Sequence, residues 1–307
     1  MTPRVIAYTV EPSDDGRLIK YFLRRRGYST RQLNKLKYAV ENGIVVDETP
    51  RLVTYALHTG ETLTLTLPTD EKTALPNGLT VPVLYEDEDF LVLHKPAGMS
   101  VHPVKRHQDN TLAGAFATYL EKSGRVAAFR PVGRLDMNTS GLVVAALNAY
   151  MACNLVGAVR KIYLAVCEGI LPEYGEINAP IAPCPDSRVK QQVTETGAPA
   201  LTEYRRIAVA PAANLSLAAV RIHTGRTHQI RLHFAHIGHP LTGDSLYGKT
   251  SPHIGRQALH CAAICLDHPR IDKAIRLTDE IPADLLAMLP LFGQNVAQQI
   301  EEAYDAF

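Results

Sequence analysis

Long apolar runs are missing from these 307 residues: no stretch approaches the roughly 18 residues that a membrane-crossing helix needs. The opening MTPRVIAYTVEPSDDG also lacks a basic head and an apolar middle, so no secretory leader is expected and the cytoplasm is the expected compartment. Cysteine is sparse and odd in number. The five, Cys153, Cys167, Cys184, Cys261 and Cys265, are scattered, which argues against a disulfide framework and agrees with a reducing compartment. Net charge is nearly absent, 32 Lys and Arg against 31 Asp and Glu, so any nucleic-acid role must rest on local charge. No internal repeat or low-complexity tract is present, which excludes a repeat array. What is there, 46% hydrophobic residues, suffices for at least one substantial core, and the length suggests about two domains.

Charge is uneven along the chain. Between Arg17 and Val40 stand eight basic residues, Arg17, Lys20, Arg24, Arg25, Arg26, Arg31, Lys35 and Lys37, and no acidic one. A run of one sign is often only a solvated face. Here it falls on two expected helices. Leu18, Ile19, Phe22 and Leu23 form one stripe after the cap candidates Asp14 and Asp15, and Gly27 ends a helix over 17–26. A second helix starts at Ser29 or Thr30, buries Leu33, Leu36 and Val40, and stops at Asn42 and Gly43. Arg31 and Lys35, one turn apart, lie opposite that stripe. IVVDETP and TLTLTLP then read as short strands.

This unit, "GRLIKYFLRRRGYSTRQLNKLKYAVENGIVVD" followed by "YALHTGETLTL", resembles the S4 RNA-binding domain over about residues 14–68. Asp47 and Glu48 stand where that family usually has Asn-Gly. The resemblance implies a small α/β domain over 1–70 that contacts RNA through Arg24, Arg25, Arg31 and Lys35. Three prolines and a glycine from Pro68 to Pro82 mark a linker, placed at 71–80.

A second domain is expected over 81–307. VLYEDEDFLVLHKPAG reads as strand, turn and strand; NTLAGAFATYLEKSG as a helix; GLVVAALN as a buried strand; NAYMACNLVGAV as a helix; KIYLAVCEG as an alternating strand. Strands and helices mix without regular βα alternation, so the class is α+β. Within it, "PVGRLDMNTSGLVV" sets Arg134 and Asp136 two residues apart, on one face if extended. Alone, that pair reads as a surface ion pair of small worth.

Three stretches change the reading: "HKPAGMSVHP", then "GRLDMNTSGLVV" with "KIYLAVCEG", then "HTGRTHQIRLHFAHIGHPLTGDSLYG". In this order they resemble the RluA-type pseudouridine synthases, and "RQALHC…LDHP" looks like that family's closing strand. The resemblance implies a mixed, mostly antiparallel sheet flanked by helices, and isomerisation of uridine in structured RNA, ribosomal more than transfer RNA. It implies no cofactor and no metal; a monomer is expected. By it, Asp136 is the essential carboxylate, acting at the base or at the sugar. Arg226 is its basic partner, with Arg231 second choice and otherwise placed among the RNA-binding residues. Arg134 fills the gap left by the flipped uridine or holds its phosphate, at a site where extrusion costs a few kcal/mol. Tyr163 stacks on the uracil and receives or relays the C5 proton. Gly133, where the family usually has His, and His94, where it commonly has Asn, are departures.

Two other readings compete. His223, His228, His233, His236 and His239 crowd one region as in a metal-dependent hydrolase, and His260, Cys261, Cys265 and His268 invite the same idea. A catalytically silent RNA-binding protein would show damage at Asp136 or Tyr163, and both are intact.

Overall fold

The computed structural model describes residues 4–38, 43–68, 74–103 and 109–306. The N-terminal unit comprises β1 (Val5–Thr9), α1 (Ile19–Arg25), α2 (Thr30–Tyr38), β2 (Ile44–Val46), β3 (Thr49–Pro50) and β4 (Thr62–Thr66), its four strands in the order β1-β4-β2-β3. Both expected helices form. Asp14, however, is no cap: it is buried, pairs with the Arg17 guanidinium, whose Nε stands 2.8 Å away, and accepts from Arg26 Nη2 at 2.9 Å, while Leu18 opens α1 without a side-chain cap. Ser29 starts α2 with a reciprocal capping box, its Oγ accepting the Gln32 N–H while Gln32 Oε1 accepts the Ser29 N–H. The expected stop at Asn42 lies outside the described residues.

Asp47 and Glu48 connect the paired residues Val46 and Thr49 with φ of 42° and 65°. A two-residue hairpin loop needs that left-handed twist, which is why Asn-Gly is favoured there. Side chains with a Cβ give up about 1–2 kcal/mol per residue in this conformation. Asp47 recovers part of it by accepting the Thr62 N–H on Oδ1 at 2.9 Å.

The larger unit contains β5 (Val83–Glu86), β6 (Phe90–Lys95), α3 (Leu112–Lys122), β7 (Arg130–Pro131), β8 (Ser140–Ala146), α4 (Ala149–Leu155), β9 (Arg160–Glu168), β10 (Tyr174–Asn178), β11 (Ile181–Pro183), β12 (Gln191–Val193), β13 (Leu201–Ala210), β14 (Leu215–Ile222), α5 (Gln229–His236), β15 (Leu259–Asp267), β16 (Ala274–Thr278), α6 (Ala283–Leu286) and α7 (Val296–Asp305). Ten of these strands make one sheet ordered β10-β13-β14-β9-β15-β8-β6-β5, with β16 on β15 and β7 on β8. Its pairings are antiparallel except β15 with β8, which are parallel at mid-sheet. There Gly141, at φ 118°, faces the Cys261 backbone so closely that a Cβ would stand 2.3 Å from its carbonyl oxygen; only glycine lets these strands meet. The mixed α+β architecture is as expected.

KIYLAVCEG alternates as expected, yet both of its faces are buried. Tyr163, Ala165 and Cys167 join one core with α3, α4 and α5, while Ile162, Leu164 and Val166 join a second under Leu285, Met288, Phe292, Val296 and Ile300. The C-terminal helices, to which the sequence reading assigned no role, make β9 a fully enclosed central strand. Among the described residues no helix is long and apolar enough to cross a membrane.

The N-terminal unit rests on α4. Tyr28 stacks on Tyr150 at 4.2 Å, Gln32 Nε2 donates to the Ala149 carbonyl at 2.7 Å, and Arg4 meets Glu88 at 2.7 Å. Residues 71–73 of the expected linker lie outside the described residues. Beyond them Asn77 and Gly78 donate their backbone N–H to Thr118 on α3, so this stretch is laid against the larger unit.

Candidate active site

Asp136 sits on the loop between β7 and β8. Leu135 anchors that loop in the core, so Arg134 and Asp136 on either side of it turn outward, as two residues of an extended segment must. The Thr139 N–H donates to the Asp136 carbonyl at 3.1 Å and closes a turn that presents the carboxylate, a quarter of whose surface is exposed.

The guanidinium that reaches it belongs to Arg231, not Arg226. Arg231 Nη1 stands 3.0 Å from Asp136 Oδ2, while its Nε and Nη2 grip both oxygens of Asp244 at 2.7 and 2.8 Å. Arg231 is therefore a buried bridge between two carboxylates, unlike the exposed cations with which it was grouped as RNA-binding. Arg226 is exposed, and its Nε donates to the Pro199 carbonyl at 3.0 Å. The reason is helix phase: α5 begins only at Gln229, and its first turn carries Arg231 inward beneath the loop. Burial alone would push the Asp244 carboxyl up. Arg231 together with the Leu246 and Tyr247 N–H groups holds it below the usual carboxylate range. The Arg231 carbon also stands 5.3 Å over the Tyr247 ring.

Beneath Asp136 lies Lys95, wholly buried at the end of β6. Its ammonium donates to the carbonyls of Pro96, Met99 and Met137 at 2.9, 2.9 and 3.0 Å, tying the HKPAG loop to the loop of Asp136. Burial pushes Lys95 down to about 7, and the charge of Asp136 works against that. Three acceptors for three N–H bonds also favour the charged form. The departure His94 is absorbed nearby, with Nδ1 2.6 Å from Asp279.

Tyr163, 4% exposed on β9, is held protonated: burial pushes its hydroxyl well above the usual range, and the neighbouring Cys261 and Asp136 push it the same way. Arg134 is exposed at the lip, where Nη2 donates to Thr227 Oγ1 at 3.2 Å. Asp136, Arg231 and Tyr163 thus share one site with Arg134 on its rim. Arg24 and Arg25 are exposed on α1 and Arg31 and Lys35 on α2, although Arg25 also stands 4.0 Å from Asp14. A cavity of about 650 Å³ between the two units is lined by Tyr8, Arg25, Arg26, Tyr150 and Arg270, and by none of the catalytic candidates.

The histidine region does not converge on an ion. His233 contacts Thr202 and the Ala179 carbonyl, His239 the Glu168 carbonyl, and His223 Glu203. His260 is buried with Nδ1 3.0 Å from Ser140 Oγ, and burial pushes it down to about 4. Among the described residues the one grouping of three His, Cys, Asp or Glu side chains near enough to share an ion is Asp87, Asp89 and His268. There Arg270 Nη1 already stands 2.6 Å from Asp89.

Sequence reasoning missed Asp244 and Tyr247 as parts of the site. Their signal was in view, in the GDSLYG that closes the third motif, but nothing local says what an aspartate there would touch.

The profile of a family described as RNA pseudouridylate synthase matches residues 89–236. The RNA pseudouridine synthase YjbO of Bacillus subtilis is 31% identical over 90% of this chain and 99% of its own. Ribosomal large subunit pseudouridine synthase D of Pseudomonas aeruginosa is 35% identical over 72% of this chain and 74% of its own. Among solved structures, human RNA Pseudouridylate Synthase Domain Containing 1 shares the fold with a TM-score of 0.57 and 24% identity, over 73% of this chain and 95% of its own.

Proposed function

Since this chain belongs to the RluA-type family of RNA pseudouridine synthases, we propose that Asp136 is its catalytic carboxylate, worked by Arg231, Tyr163 and Arg134 on a uridine of ribosomal RNA. The reaction breaks the bond from C1′ to N1 of uracil, turns the base and joins C1′ to C5; the C5 proton leaves and N1 ends protonated, so no atom is gained or lost. The observation that carries the assignment is the state of the carboxylate. Arg231 holds Oδ2, and among the described residues no hydrogen bond from the protein falls on Oδ1, which is free to act at the sugar or at the base.

The other groups follow from their chemistry. Protonated Tyr163 suits stacking and the passage of a proton, and does not suit the role of a base. Arg134 on the lip carries a planar, permanent charge suited to the space an extruded nucleotide vacates or to its phosphate. Asp244 keeps Arg231 aimed, as an outer carboxylate does for many catalytic cations. Ribosomal RNA as substrate is supported by the names of relatives such as the Pseudomonas aeruginosa enzyme. Mapping pseudouridines in total RNA from cells with and without this gene tests it: one or more ribosomal sites are expected to revert to uridine, and an unchanged ribosomal map would reject that substrate.

The exposed Arg24, Arg25, Arg31 and Lys35 support a phosphate-gripping role for the N-terminal unit as an S4-like domain. Its contacts with α4 give that face a fixed place relative to the larger unit. Arg31→Glu combined with Lys35→Glu is expected to weaken RNA binding and flatten the log-log salt dependence by about two. Equal affinity and slope would mark the face as merely solvated.

A further inference from the structure

His228 occupies the residue before α5 in the left-handed conformation, with φ 56° and ψ 21°, which few side chains with a Cβ adopt. Its ring is not idle there. Nδ1 lies 2.9 Å from the Tyr247 hydroxyl oxygen, and that oxygen accepts the Gln191 backbone N–H at 2.8 Å. A phenol has one hydrogen to give. The Gln191 N–H takes one acceptor position on that oxygen and a carboxylate faces Nε2, so the arrangement that suits all three groups sends the hydroxyl hydrogen to Nδ1 and leaves a neutral ring's proton on Nε2. Nε2 faces the catalytic carboxylate, 3.9 Å from Asp136 Oδ2. The Tyr247 ring meets the imidazole edge-on at 5.6 Å and fixes its plane. Burial pushes His228 below the usual histidine range; Asp136 and Asp244 work against this, Arg231 and Arg134 with it, which agrees with a neutral ring.

We propose that His228 is a positioning residue for Asp136: a neutral imidazole whose tautomer is set by Tyr247 and whose Nε2–H takes hold of Oδ2 beside Arg231 when RNA enters. At 3.9 Å the contact is open, and it closes with a small swing of a carboxylate that is a quarter exposed. Catalytic hydrogen bonds are commonly long before substrate binds. Two donors on one oxygen then leave Oδ1 as the reacting atom in one orientation. The strained backbone at residue 228 is what carries the ring past the start of α5 to reach both Tyr247 and Asp136. This inference rests on Asp136 being the catalytic carboxylate.

Two substitutions separate positioning from packing. Asparagine tolerates the left-handed backbone, but its amide ends where Nδ1 stands, within reach of Tyr247 and short of Asp136. Glutamine places its amide N–H where Nε2–H was. His228→Asn is expected to lower kcat roughly 100-fold with KM little changed, and His228→Gln to return to within about 5-fold of the parent. A packing role predicts the opposite order, with asparagine the milder change. The proposal is overturned if His228→Asn keeps kcat within 3-fold of the parent, taken on the order of measurement scatter, or if glutamine restores nothing. Should either variant fail to fold by circular dichroism, Tyr247→Phe decides: it frees the tautomer and is expected to lower kcat on the order of 10-fold at constant KM, and unchanged kcat overturns the proposal. Asp136→Asn is assayed alongside. An active Asp136→Asn protein rejects the assignment of the carboxylate itself, whereas an inactive one beside a fully active His228→Asn rejects only the role of His228.

Discussion

Asp136→Asn is expected to leave a folded, RNA-binding protein that makes no pseudouridine. The amide has the shape of the carboxylate, and its oxygen can still accept from Arg231 Nη1, now at 3.0 Å from Oδ2, so packing around the loop is preserved. What disappears is the negative charge that a nucleophile or base requires, and the expected loss in turnover is roughly 1,000-fold or more. Affinity for RNA should hold or rise, because one anion is removed from a site facing phosphates. Single-turnover conversion of a uridine-containing RNA fragment, measured beside its dissociation constant, reads both. Turnover within 10-fold of the parent, a gap on the order of what mere positioning effects produce, would sink the assignment of Asp136.

The second large effect lies one contact deeper. Asp244 is fully buried and, among the described residues, Arg231 is the one cation that grips it; Arg231 in turn holds Asp136. Arg231→Met leaves the Asp244 charge without its counterion, an uncompensated burial that costs about 3–5 kcal/mol. A fall in melting temperature on the order of 10 °C follows for a chain of this size. Arg231→Lys keeps the charge but has no fork, so one ammonium has to serve two carboxylates. It should be the more stable of the two and nearly as inactive. The pH dependence has a definite sign. In the parent the Asp244 carboxyl is held below its ordinary value, so its stabilising contribution is present above about pH 4 and is lost as pH falls through the lower folded-state value. In Arg231→Met only the Leu246 and Tyr247 N–H groups are left to oppose burial, and the carboxyl rises. The variant then suffers most at neutral pH, and its deficit shrinks as the solution is acidified. Denaturant midpoints at pH 7 and pH 4 check this; a deficit that does not narrow in acid would show that Arg231 stabilises by packing rather than by charge.

Much of the architecture was legible because it is local. The stripe Leu18, Ile19, Phe22 and Leu23 needs only the helical period to reveal α1, and a cap candidate at Ser29 or Thr30 marks the start of α2; the structure chooses Ser29, through bonds with Gln32 that span three residues. The alternation of KIYLAVCEG shows which side chains share a face with Tyr163. It cannot show that the other face is also covered, because that cover arrives from α6 and α7 at the far end of the chain. The turn at Asp47 and Glu48 shows the same limit from the other side. Its chemistry argued against a tight left-handed turn, and strand pairing imposed one anyway.

At the site, the sequence by itself determined the kinds of groups present: a carboxylate beside an arginine in GRLDMN, a tyrosine on a central strand, and a run of cations and histidines in GRTHQIRLH. Only the tertiary structure decided which cation serves which acid. Arg226 and Arg231 are equally basic in the string. Their difference is the angle at which α5 leaves the loop, and that angle is set by His228 in a left-handed conformation and by Asp244 pulling Arg231 inward. Backbone preference and side-chain period act over a few residues and can be read along the chain. A charge pair between distant segments depends on how whole strands and helices pack, and that information exists only once they have packed.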